Sequence, residues 1–261
     1  FLNWTRKPLA WDTACKGAPM TQNGYPRFCP VAMAAEMIEP RWTMLVLCEL
    51  WSGSTRFNQI QRGVPGMSPG LLAKRLRDLE TKGLVVKIGG KTKDYSEYFT
   101  TPLADELEPL VRKLGEWAHR HINSEVSLEH LDGRMLMWNI RRKIDRLELP
   151  QHSCVIQFTL DEPTNTTVNY WLVIKPGIEP DLCYSDQGFS VDLFIVSTLR
   201  ALTSAWMGHT SFESEISAGN ITLIGHEIMA RNLTRWLITS SYAAVCKPGS
   251  DSGLSSQAAA E

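Results

Sequence analysis

The apolar residues change period part-way along the chain, and that change constrains the fold more than any single motif. Before Pro150 they recur mostly at three- and four-residue spacing, as in helices with one buried face; from Cys154 they alternate, as in strands. Two periods in separate halves of 261 residues predict two modest domains, each able to bury its own core. The formal net charge of -1 conceals a similar split. Ten Lys/Arg face three acids between Arg41 and Lys93, whereas five face eleven from Pro150 to the end. An excess of cations confined to the first half points that half, and not the second, toward a polyanion.

The first half reads as a string of short helices closed by a hairpin. Val31, Ala34, Ala35 and Ile38 form one helical stripe after Cys29, and Pro40 stops it, since proline cannot continue the hydrogen-bond ladder. "RWTMLVLCELWSG" is apolar almost all round, which predicts a central buried helix ended by Gly53. "TRFNQIQRGVPG" gives a third helix with Phe57, Ile60 and Val64 inward and a Pro65-Gly66 turn. In "MSPGLLAKRLRDLETKGLV", Ser68 is the expected N-cap, Pro69 suits the first helical position, and Leu72, Leu76 and Leu79 make the core stripe. Gly70, Lys74, Arg77 and Thr81 then face the other way, with Arg75 on the flank. A helix with a small, open start and exposed cations fits a major groove. "LVVKIGGKTKDYSEYFTT" reads as strand, turn, strand, pairing Val85–Ile88 with Ser96–Thr100 across a loop whose Lys91 and Lys93 would neutralise phosphates. Next, Leu103, Leu107, Leu110, Leu114 and Trp117 give a helical seam suited to a partner helix.

These segments carry a family resemblance. "CPVAMAAEMIEPRWTMLVLCEL", "RFNQIQRGVPGMSPGLLAKRLRDLETKGLV" and "SEYFTTPLADELEPLVRKLGEW" together resemble the HxlR-type transcriptional regulators over about Phe28 to His121. The resemblance implies a winged helix-turn-helix that reads double-stranded DNA with the Ser68–Lys82 helix. It also implies a homodimer through residues 30–39 and 102–122. The expected DNA-binding residues are Arg56, Ser68, Gly70, Lys74, Arg75, Arg77, Lys91 and Lys93. Two positions depart from the pattern: Pro40 stands where a glycine is usual, and Phe99-Thr100 replaces a small-then-leucine pair. In regulators of this type the cysteine of the Cys-Pro-Val opening can sense oxidants; Cys29 occupies that position, at a helix N-terminus that favours thiolate.

The second half begins with "SLEHLDGRMLMWNIRRKIDRLELP", a linker helix over 123–150 with Leu128, Leu131, Met135, Trp138 and Ile144 as its stripe and a basic cluster at Arg141, Arg142, Lys143 and Arg146. Four strands follow ("CVIQFTL", "NYWLVIK", "DLCYSD", "VDLFIVS"), then a helix ("TLRALTSAWMG"), a strand ("ITLIG") and a closing helix ("HEIMARNLTRWLI"). That order predicts an α+β domain over 151–247, a mostly antiparallel sheet with helices on one side. Residues 153–238 resemble the sterol-carrier-protein-like domain. The resemblance implies an apolar cavity between sheet and helices for a small lipid-like or aromatic effector, lined by Trp171, Val173, Phe194, Leu202, Trp206, Met207 and Phe212.

No GxSxG, HExxH, P-loop or GxGxxG motif is present, so no enzyme and no cofactor are expected. The six cysteines lack zinc spacing, so no metal is expected, and their scatter suits a reducing cytoplasm. No apolar run is long enough for a membrane span. Residues 1–27 read as an N-terminal extension without a signal core, and 248–261 as a disordered tail. The leading expectation is a homodimeric regulator of a palindromic operator, switched by a small apolar effector. Two alternatives stay open: a lipid or aromatic carrier whose winged helix only dimerises, and a thiol redox sensor acting through Cys29.

Overall fold

A computed structural model describes residues 28–89, 96–124, 128–163 and 166–245. The expectations for Lys91 and Lys93, for the 1–27 extension and for the 248–261 tail fall outside these residues. The chain is α+β and divides into two compact units between Lys113 and Leu114.

In the first unit, α1 (Pro30–Ile38) starts with Pro30 in its first turn, where a missing N–H costs nothing. Its carbonyls of Glu36 and Met37 accept from Lys82 Nζ at 2.6 and 3.2 Å, a cation placed at the negative end of the helix. Burial pushes that ammonium below its ordinary value of 10.5. Helix α2 (Thr43–Trp51) runs through the core with Val46, Leu47 and Leu50 buried. It is entered from Trp42, whose φ of 81° is in the left-handed region that a bulky side chain rarely adopts. Glu49 of α2 is also buried; it accepts from Ser54 Oγ, and a Cβ on Gly63 would overlap its carboxyl group.

Helix α3 (Phe57–Gly63) and helix α4 (Pro69–Thr81) are joined by a turn in which Gln61 Nε2 donates to Met67 O at 2.6 Å. Ser68 caps α4 by accepting from Leu71 N, and Leu72, Leu76 and Leu79 are almost wholly buried. Strands β1 (Val85–Gly89) and β2 (Ser96–Thr100) form the expected antiparallel ribbon, with Val85 opposite Thr100. The helix expected after the ribbon is two helices, α5 (Pro102–Asp105) and α6 (Glu108–His121). Pro109 explains the break: it lacks the N–H that an uninterrupted helix would need to bond back to Asp105, so it suits the first turn of a new helix. The division between units falls inside α6, upstream of the boundary at 122 expected from the sequence.

The second unit takes in the end of α6 and then α7 (Gly133–Arg142), capped by Asp132 accepting from Met135 N. Its buried face is Leu136, Met137, Trp138 and Ile140, and Met135 is exposed. The expected stripe runs through Leu128 and Leu131, which precede the helix, so its phase does not carry into α7. A five-stranded sheet has the order β5-β4-β3-β6-β7, made of β3 (Cys154–Asp161), β4 (Thr167–Ile174), β5 (Asp181–Cys183), β6 (Leu193–Thr198) and β7 (Ile221–Gly225). The central β3–β6 pair is parallel and the other pairs are antiparallel. Helix α8 (Leu199–Trp206) follows β6 directly, and a short helix not anticipated from the sequence, α9 (Phe212–Ser217), precedes β7. The closing helix is split at Asn232 into α10 (Glu227–Arg231) and α11 (Leu233–Trp236). One sheet face, with Ile156, Phe158, Tyr170, Leu172, Leu193 and Ile195, packs with Trp138, Leu202, Trp206, Phe212 and Trp236 of the helices as a single core. No helix among the described residues is long and apolar enough to cross a membrane.

Candidate nucleic-acid interface and ligand surfaces

Helix α4 divides by face. Behind it the three leucines fix it to α2, α3 and the ribbon through one buried cluster. In front, Gly70, Lys74, Arg77 and Thr81 are all exposed, and a Cβ on Gly70 would meet nothing within 4 Å, so the start of the helix is open to close approach. Ser68 is exposed beside it. Arg75 departs from the expected set: its side chain is only 12% exposed and pairs with Asp78 at 3.0 Å, which places it against the protein. Arg56, at the N-cap of α3, is exposed but lies 3.8 Å from Glu97 of β2, tying the helix pair to the base of the ribbon. Thr55 strengthens that joint, its carbonyl accepting from Tyr98 N and its hydroxyl donating to Glu97 Oε1. The sequence missed Lys87, an exposed wing cation whose Nζ lies 5.8 Å from the centre of the Tyr98 ring.

The regions expected to dimerise are apolar and open. Val31 of α1 and Leu103 of α5 are exposed, as are Leu110, Leu114 and Trp117 of α6. Neither α1 nor α6 has a buried residue.

The family model for HxlR-like helix-turn-helix domains matches residues 37–126, which take in α2 to α6 and the ribbon. The Bacillus subtilis HTH-type transcriptional regulator YvaP is 31% identical over 99 residues, which are 38% of this chain and 89% of the relative. The chain belongs to the HxlR-like helix-turn-helix family. Among solved structures, the redox regulator HypR in its reduced form is 27% identical and covers 38% of this chain and 99% of its own, with a TM-score of 0.36. Sterol carrier protein 2 of Yarrowia lipolytica, apo form, is 13% identical and covers 39% of this chain and 96% of its own, with a TM-score of 0.31.

Beyond the HxlR-like module, the seven expected effector-lining residues do not meet. Leu202, Trp206 and Phe212 are buried in the core on the helix side of the sheet, and Met207 packs at its margin. Trp171, Val173 and Phe194 point to the opposite face: Gln157 stands opposite both Trp171 and Phe194, and Ile224 opposite Phe194. The reason is the two-residue period of a strand, which puts Tyr170 and Leu172 on the core side and Trp171 and Val173 on the other. The basic cluster at the end of α7 and just beyond it is engaged within its own unit. Arg141 donates to Pro180 O, and the guanidinium groups of Arg141 and Arg142 lie 4.3 and 5.0 Å from the Trp138 ring centre. Arg146 donates to Ile178 O, and Lys143 to Ser241 Oγ.

The cysteines differ in environment. Cys29 is half-buried at the N-cap of α1 and makes no side-chain cap bond. Burial, then the charges of Glu49 and Glu108, push the Cys48 thiol up to about 11, with Arg112 opposing. Burial and Asp192 likewise push Cys154 up to about 11.

Proposed function

We propose that this HxlR-type transcriptional regulator binds double-stranded DNA as a homodimer and that its second domain receives a small effector. The observation that carries the reading is the exposed row Gly70, Lys74, Arg77 and Thr81 on a helix held from behind by buried leucines. A rigid helix with a small residue near its start and cations along one side can enter a major groove, its cations contacting phosphates or base edges. Ser68, Arg56 and the wing cations Lys87, Lys91 and Lys93 would reach the flanking backbone, whereas Arg75 supports α4 through Asp78.

Dimerisation uses α1 with α5 and α6, whose apolar side chains are exposed. Two α4 helices then read a palindromic operator with half-sites about 34–36 Å apart. An apolar effector would use the outer sheet face around Trp171, Val173 and Phe194, since the apolar candidates of the helix side, Leu202, Trp206 and Phe212, are packed into the core. It shifts DNA binding only if it prefers one state of the dimer. The regulator acts in the cytoplasm, beside the chromosome. Selection of genomic fragments at physiological salt tests the reading. Enrichment of fragments that share a palindrome supports it, and equal retention of all fragments contradicts it.

A further inference from the structure

The second unit also holds a cleft of about 440 Å³ on the helix side, whose ten lining residues include Arg200, Ser204, His209, Thr210, Glu215 and Asn220. That volume suits a small molecule. Eight of the ten lining side chains are polar, so the cleft is chemically unlike the outer sheet face.

Two helix ends build it. Gly208 (φ 76°) closes α8: its N–H reaches Ala205 O and the next N–H, of His209, reaches Ser204 O at 2.9 Å. Gly219 (φ 75°) closes α9 in the same way, its N–H on Ile216 O and the N–H of Asn220 on Glu215 O at 2.9 Å. The first closure sets His209 and Thr210 on one wall, and the second sets Asn220 beside Glu215 on another.

Glu215 is the unusual member. It is 9% exposed, yet its one side-chain partner among the described residues is the neutral amide of Asn220, which donates to Oε2 at 2.8 Å. A carboxylate this buried is normally matched by a cation, because an amide offsets only part of its desolvation. It has acceptor capacity left and stands in a cleft supplied with hydroxyls.

We infer that this cleft binds a small hydroxylated primary amine, its ammonium on Glu215 and its hydroxyls on Ser204, Thr210 and Asn220. Occupancy would also reach α6. The His209 ring stacks on His119 of that helix, with centroids 5.1 Å apart and planes within 13°. This second step rests on the reading that the second domain is the effector domain; the binding step does not.

The experiment titrates D-glucosamine into the full chain by calorimetry, with D-glucose as the control that lacks the ammonium. Glucosamine is expected to bind, glucose at least tenfold more weakly, and Glu215→Gln to lose about tenfold or more in glucosamine affinity. Thr210→Tyr, on an exposed residue of the rim, is expected to block binding with Glu215 intact, so the result stands even if Glu215→Gln fails to fold. No heat at up to about 10 mM glucosamine, equal binding of glucose, or unchanged affinity in both variants overturns the site. Affinity for a selected DNA fragment is then measured with and without glucosamine. A change that His209→Ala removes supports the link to α6. Glucosamine binding without any change in DNA affinity refutes the link and leaves the site standing.

Discussion

Helices α4 and α6 both carry leucines at helical spacing beside charged side chains, yet Leu72, Leu76 and Leu79 are at most 1% exposed while Leu110 and Leu114 are 65% and 50% exposed. The apolar stripe of α4 is covered by its own domain, so its free surface is the cationic one. On α6 the apolar stripe itself is free. Apolar periodicity therefore tells that a face seeks cover and not where the cover comes from. On this account α4 turns its open face to DNA and α6 turns its open face to a second copy of the chain.

The largest effect that separates the two helices is on stability. Leu76→Ala leaves a cavity in a closed core and is expected to cost about 2–5 kcal/mol in urea unfolding, whereas Leu110→Ala changes stability by less than about 0.5 kcal/mol at a concentration where the chain is monomeric. Equal costs would put α6 inside the fold and break the comparison. Next comes assembly. Leu110→Asp with Leu114→Asp is expected to weaken the dimer by about 100-fold or more in sedimentation equilibrium while far-UV circular dichroism stays unchanged. A variant that remains dimeric at low micromolar concentration places the interface elsewhere. Smaller again is the contrast between neighbours on α4. Arg75→Ala removes the pair with Asp78 and should cost about 1 kcal/mol of stability while leaving the salt dependence of DNA binding nearly unaltered.

The smallest effect concerns Cys48, which senses Glu108 and Arg112 of α6 from within α2. With its thiol at about 11 against an ordinary 9.0, alkylation of a variant keeping this cysteine alone should go on accelerating with pH to about 11. Because the folded value is the raised one, the contribution to stability is fully present below pH 9.0 and is lost as pH rises through about 11. An alkylation midpoint near 9.0 would mean that α2 does not bury this thiol.

Much of the first domain was legible because its signals are local. A Ser-Pro start followed by leucines at positions 72, 76 and 79 specifies both a helix and its inner face. The burial of Arg75 was not legible, because whether a flanking cation turns out or folds onto Asp78 depends on neighbours outside the helix. Pro109 did signal the break between α5 and α6, but the leucine seam running across it obscured that signal. In the second domain alternation revealed the strands and gave no means of telling which face would be covered. Trp171 and Leu202 were therefore grouped by hydrophobicity, although the sheet separates them. The polar cleft left no trace in the sequence, since Ser204, His209, Glu215 and Asn220 meet only after two helices have ended side by side.

The central claim concerns the outer face of α4, and the salt dependence of DNA binding by Lys74→Ala/Arg77→Ala tests it most directly. The double variant should unfold like the parent. Its affinity for a selected fragment should fall, and its slope of log affinity against log salt should flatten by about 0.9 for each phosphate that is no longer neutralised. Parent-like affinity with a parent-like slope would contradict the claim and leave α4 a structural helix only.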